Sequence, residues 1–132
     1  MKNFTVSFGV ESHSHTLEEL SSLMGMPAHS GSYEKGKMRG GSIAHSTVWK
    51  MFSQIVKSAP LEEHLDSILK ATTSTKVFEK GLLPDGCKLV LNIAVFYDTV
   101  DCTIGIGTKF LSWLAEHKIN LEVASYPSSF DT

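Results

Sequence analysis

Two stretches of this chain follow one pattern, and that pattern limits the folds open to it. The first runs Phe4-Thr-Val-Ser-Phe-Gly-Val10 and then Thr16-Leu-Glu-Glu-Leu-Ser-Ser-Leu-Met-Gly25. The second runs Leu89-Val-Leu-Asn-Ile-Ala-Val-Phe96 and then Thr108-Lys-Phe-Leu-Ser-Trp-Leu-Ala-Glu-His117. Each reads as a strand, a polar excursion and a threonine-capped amphipathic helix. Phe4, Val6, Phe8 and Val10 alternate with Thr5, Ser7 and Gly9, the period of a half-buried strand. Glu11 to His15 is a polar connection. Thr16 and Glu19 stand at capping-box spacing, where each side chain satisfies a backbone donor that the first turn leaves free. Leu17, Leu20, Leu23 and Met24 make the helical stripe. Gly25 and Pro27 end it.

Between and after these units the pattern is less regular. Residues 28–41 show no periodicity and form the longest irregular stretch. Residues 43–53 read as a strand, with Ile43, Thr47, Trp49 and Met51 on alternate positions. Pro60 suits the first turn of a helix whose stripe is Leu61, Leu65, Ile68 and Leu69. A threonine-rich break at 72–75 precedes a short helix ending at Gly81, and Pro84-Asp-Gly86 is a turn. Residues 87–97 are apolar at both parities, which predicts a central strand covered on both faces. Asp98 to Asp101 then reads as a hairpin turn into a short strand near 102–106. The last helix starts at Thr108, with Phe110, Leu111, Leu114 and Ala115 facing inward and His117 and Lys118 at its C-terminal dipole. Ile119, Leu121 and Val123 begin a final strand, and the tail after Pro127 is expected to fray. The predicted fold is a single α+β domain spanning residues 1–132. Its helices pack on one face of a single-layer, mainly antiparallel sheet, in a pseudo-duplicated, ferredoxin-like or related layout.

Composition excludes more than it selects. The chain has 132 residues, 42% hydrophobic and 20% charged, with a net charge of -2, so no global field draws it to nucleic acid or anionic lipid. No run of ~18 apolar residues marks a membrane span, and no secretory leader is visible. Two cysteines in such a chain point to reduced thiols and a cytoplasmic setting. The hairpin reading puts Cys87 and Cys102 roughly 33 Å apart at ~3.3 Å per residue. That is far beyond disulfide reach.

Several of these residues together resemble a known family. They are the Leu-Glu-Glu-Leu-x-x-Leu-Met-Gly helix with a proline soon after, Lys35-Gly36, a strand carrying Trp49, the Leu61-Glu-Glu-His-Leu65 helix and the terminal helix–strand pair. They resemble the bacterial domain-of-unknown-function family 4279 over nearly the whole chain. The Gly40–Thr47 region departs from the pattern, being longer and more polar. The resemblance implies an α+β domain of bacterial or phage origin with no assigned reaction, and it brings no catalytic residues.

Candidate chemistry is sparse. His13 and His15 lie on one side of an extended segment, with His29 as the nearest third metal ligand, but a zinc motif is absent and a solvated polar loop is the favoured reading. No Gly-x-Ser-x-Gly or Ser/His/Asp order appears. His64 reads as a satisfied boundary histidine, and His45 as solvent-facing. Gly105-Ile-Gly107 precedes a helix N-terminus, where amides can hold an anion; a tight turn is the simpler account. Asp85 and Asp101 beside the two cysteines argue against activated thiols. Trp49 and Trp113 read as packing residues, and Met24, Met26, Met38 and Met51 as core filling. The best functional candidate is the 28–41 loop, where Tyr33, Lys35, Lys37 and Arg39 sit among glycines. The expectation is a non-catalytic protein-binding module of regulatory or toxin-neutralising type, needing no cofactor and no catalytic residue. The partner is another protein or a second copy of the chain; membrane and nucleic acid are disfavoured. The alternative is an enzyme or sensor that binds a small anionic ligand or metal through His13, His15, His29 and the 33–39 basic loop.

Overall fold

The computed structural model of the protein describes residues 2–73, 75 and 84–128. The first strand, β1 (Lys2–Ser12), is central and buries Phe4, Val6, Phe8 and Val10 on one face, as its alternation predicts. It continues through Ser12, so the polar connection is shorter than the sequence suggests. Helix α1 (Leu17–Met24) follows with a complete capping box at Thr16 and Glu19 and a left-handed Gly25 at its end. Two short strands, β2 (Met38–Arg39) and β3 (Ser42–Ile43), make a small hairpin before β4 (Thr47–Phe52). Helix α2 (Leu61–Thr73), strand β5 (Lys88–Tyr97), helix α3 (Thr108–Glu116) and strand β6 (Ile119–Pro127) complete the described chain.

The sheet order is β4-β1-β5-β6. β1 is antiparallel to both β4 and β5, whereas β6 runs parallel to β5. The result is an α+β fold, a mixed four-stranded sheet with three helices packed on it. One core joins the helices to the sheet. Phe8, Trp49, Leu91 and Ile93 meet Leu20 and Met24 of α1, Leu65 and Ile68 of α2, and Phe110, Trp113 and Leu114 of α3.

Three expectations are overturned here. The predicted hairpin after β5 is absent: residues 101–107 form no strand, and α3 carries the chain over to a parallel partner. A parallel neighbour demands such a crossover, and a two-residue turn cannot supply it. Cys87 and Cys102 are nevertheless both free thiols. Second, β5 is not covered on both faces. Leu89, Leu91, Ile93 and Val95 are buried under the helices, but Lys88, Val90, Asn92, Ala94 and Phe96 lie on the other face, which carries no described helix. Third, only the first unit has a threonine cap. Gly107 is the N-cap of α3 and makes no side-chain cap bond, and Thr108 is already helical. In α3 Trp113 takes the inward place, leaving Leu111 and Ala115 exposed. The predicted short helix ending at Gly81 and the tail beyond residue 128 lie outside the described residues.

Candidate functional site

The 28–41 stretch exists because of topology. β1 ends at Ser12, which pairs with Thr47, the first residue of β4. After α1 the chain reaches His29 at the opposite end of β4, where the His29 amide donates to the Lys50 carbonyl at 2.9 Å. To enter β4 antiparallel to β1 it must travel the length of the sheet again. Residues 29–33 do this along the outer edge of β4. Tyr33 and Val48 exchange both backbone hydrogen bonds, at 3.0 and 2.8 Å. The arm then leaves the sheet as a narrow ribbon. The Gly36 amide donates to the Ala44 carbonyl and the Ala44 amide to the Lys37 carbonyl, each at 2.9 Å. Met38 pairs with Ile43 and Arg39 with Ser42. Gly40 closes the ribbon with φ 61°, the positive value that the first central residue of a type II′ turn requires. The stretch read as irregular is therefore the outgoing arm of a long hairpin.

Side chains fasten the arm to its surroundings. Glu34 Oε1 accepts the Leu17 amide at 2.9 Å, holding a free donor of the first turn of α1. The Lys35 amide donates to Thr47 Oγ1 at 3.0 Å, and Lys35 Nζ donates to the His13 carbonyl at 3.0 Å. The guanidinium of Arg39 lies over the Tyr33 ring, 4.2 Å from its centroid. Tyr33 and Arg39 are thus brought together. Lys35 is turned toward the β1–α1 connection, and Lys37 stands exposed on the ribbon.

Pairing divides the ribbon into two faces, because directly opposed residues project the same way. Met38 and Ile43 share one face and are 67% and 56% exposed. Met38 is therefore not core filling, unlike Met24 and Met51. Lys37 and Arg39 belong to the other parity. Sequence reading found these cations and missed the apolar pair, because the two residues lie in strands of two residues each. The Gly40-Gly41 dipeptide was the available signal.

The histidines are used locally. His13 Nδ1 lies 3.3 Å from the His45 carbonyl, and His45 is exposed. His15 Nδ1 lies 2.7 Å from Ser12 Oγ, the hydroxyl that also accepts the Ser14 and His15 amides and shapes the entry to α1. His29 Nδ1 accepts the Phe52 amide at 2.9 Å while its ring stacks on Phe52. That nitrogen is thereby occupied. Among the described residues no group of three or more His, Cys, Asp or Glu is placed to hold a metal ion.

His64 is buried, with Nδ1 2.6 Å from Ser53 Oγ. In a serine-hydrolase triad an acid holds the second ring nitrogen. Here His64 Nε2 has no hydrogen-bond partner among the described residues, and the ring tilts against Phe4. Burial pushes the Cys87 thiol up, partly offset by a hydrogen bond with Ser12; burial rather than the neighbouring Asp85 is the cause. At the N-terminus of α3, Glu62 and Asp66 line the groove that Gly105 and Gly107 open. Lys109 also lines it, so two carboxylates face one ammonium and the balance opposes an anion there.

A family model described as Domain of unknown function (DUF4279) matches residues 2–128. The chain belongs to that family. No curated protein and no solved structure matches the chain. The DUF4279 match spans every described strand and helix, including the hairpin and the Gly40–Thr47 region. The family's description names no reaction. Among the described residues of this DUF4279 domain, no helix is long and apolar enough to cross a membrane.

Proposed function

We propose that this DUF4279 domain is a non-catalytic protein-binding module, of regulatory or toxin-neutralising type, and that it engages its partner through the tip of the 29–52 hairpin. The observation that carries this reading is the pairing of Met38 with Ile43 in the open. Two large apolar side chains side by side on a projecting ribbon are an anchor that water disfavours. Lys37 and Arg39 on the opposite side of the ribbon, with Lys35 at its base, provide a cationic surround. Protein interfaces commonly pair such a central apolar contact with a charged rim that sets orientation and partner choice. The matching partner presents an apolar pocket bordered by carboxylates.

The test is affinity capture from the source cell with three baits: wild type, a variant with Lys35, Lys37 and Arg39 changed to glutamate, and a Met38→Glu/Ile43→Glu variant. None of these residues is in the buried core, so all three baits should give the same circular dichroism spectrum. A protein held by wild type and lost from both variants supports the reading. A partner retained equally by all three overturns it.

A further inference from the structure

The helix-free face of the sheet carries a cleft of ≈ 270 Å³. Its floor is Gly9, and Lys50, Lys88, Glu11, Asn92 and Glu122 stand around it. The register fixes their layout. Gly9 lies between Lys50 of β4 and Val90 of β5, Glu11 lies opposite Lys88, and Asn92 lies opposite Glu122.

Gly9 is the informative residue. It sits inside a central strand that is paired on both sides. It is not among the residues of positive φ, so its backbone suits any side chain. An added Cβ would meet the Trp49 carbonyl oxygen at 3.6 Å, Lys50 Cγ at 3.8 Å and the Val90 carbonyl oxygen at 3.9 Å, all ordinary contacts. Neither the backbone angle nor a Cβ clash therefore requires glycine here. Glycine inside a strand is destabilising relative to alanine. Glycine in a strand interior often marks a site where a ligand or another backbone approaches closely.

The polar groups around the cleft point to the same conclusion. Among the described residues, the ammonium groups of Lys50 and Lys88 pair with neither Glu11 nor Glu122, and Glu11 is taken up by the Ser46 hydroxyl at 2.9 Å. Lys50 stands on β4, and Lys88 on β5 in the Glu11 row. Glu122 with Asn92 marks the opposite corner, three strands from β4, or about 14 Å between backbones at ~4.8 Å per strand. After allowance for side-chain reach, the two kinds of charge are several bonds apart.

We infer that this cleft binds a small zwitterion of dipeptide length. Its carboxylate would lie between Lys50 and Lys88, its ammonium group against Glu122, and its body over Gly9, with Asn92 donating to the amide. Tyr33 of the hairpin arm also lines the cleft, and no protein partner is needed to complete it.

The experiment is a titration of isotope-labelled protein with glycylglycine in the millimolar range, followed by backbone amide shifts, with succinate and ethanolamine as controls that carry charge of one sign only. Saturable shifts at residues 7–11, 48–50 and 88–92 are expected with glycylglycine alone. Gly9→Val adds a strand-favouring side chain, so it should leave the fold intact and abolish the shifts. Lys50→Gln/Lys88→Gln should weaken binding by about tenfold or more, and Glu122→Gln should bring glycylglycine down to the level of succinate. Absence of shifts with glycylglycine, equal response to succinate, or shifts that survive in a folded Gly9→Val protein would each overturn the proposal.

Discussion

Arg39 lies over the ring of Tyr33, its guanidinium carbon 4.2 Å from the ring centroid. Tyr33 is the residue where the arm pairs with β4, and Arg39 flanks the turn at the tip. The contact therefore ties the free end of the ribbon to the point where it joins the sheet. An exposed cation–π pair contributes about 0.5–1 kcal/mol. We predict that Arg39→Ala speeds hydrogen exchange at the Gly36 and Ala44 amides while changing the global unfolding midpoint little. Arg39→Lys should retain most of the protection. Unchanged exchange in Arg39→Ala would mean that the backbone ladder alone holds the tip.

Glu34 links the hairpin to a helix. Its carboxylate takes the Leu17 amide at 2.9 Å, at the positive end of α1. Glu34→Ala is expected to cost about 1 kcal/mol, the usual size of a lost N-terminal cap. Glu34→Gln keeps an acceptor and should lose less. Chemical denaturation of the three proteins checks the order. A Glu34→Ala protein as stable as wild type would contradict the account.

Half-buried Ser53 and buried His64 lie 2.6 Å apart, Oγ to Nδ1. Ser53→Ala removes the partner of Nδ1 and leaves both nitrogens of a buried ring without a side-chain bond. The predicted cost is about 1–3 kcal/mol. Ser53→Ala/His64→Leu removes donor and acceptor together and should recover much of that loss. If the double variant is less stable than the sum of the single changes, the pair is doing something other than satisfying each other.

Glu19 gives a pH dependence with a definite sign. The Thr16 backbone amide, and then the Thr16 hydroxyl, hold its carboxyl below the ordinary value of 4.5. The folded value is depressed, so the stabilisation is present above the unfolded value and is lost as pH falls through the folded one. Wild type should therefore exceed Glu19→Gln in stability at neutral pH, and the gap should close in acid below 4.5. Urea midpoints across that range test it. A gap independent of pH would show that the charge is not what matters.

The sequence was legible where one periodicity governed a whole element. The alternation Phe4, Val6, Phe8, Val10 and the capping box at Thr16 appear as read, and the stripe of α2 does at Leu61, Leu65 and Ile68, with His64 buried among them rather than at their boundary. It misled where two structures share a signal. The Asp98 to Asp101 turn suggested a hairpin, but an acidic, polar stretch serves equally to enter a crossover, and only the register of β6 on β5 separates the two. The apolar run in β5 looked doubly covered because Val90, Ala94 and Phe96 lie on the open face. At the candidate site the cations of the hairpin were visible as composition. Lys50, Lys88, Asn92 and Glu122 were not, because they belong to three different strands and meet only through the strand order.

Contact between the hairpin tip and a protein partner is best read at the position itself. A photo-crosslinking amino acid placed at Met38, with a second protein carrying it at Ser67 on α2 as control, can be irradiated in the source cell. A covalent adduct of one defined mass is expected from position 38 and not from position 67. The adduct should disappear when Lys35, Lys37 and Arg39 are changed to glutamate. Adducts of the same pattern from both positions, or none from position 38, would contradict that contact.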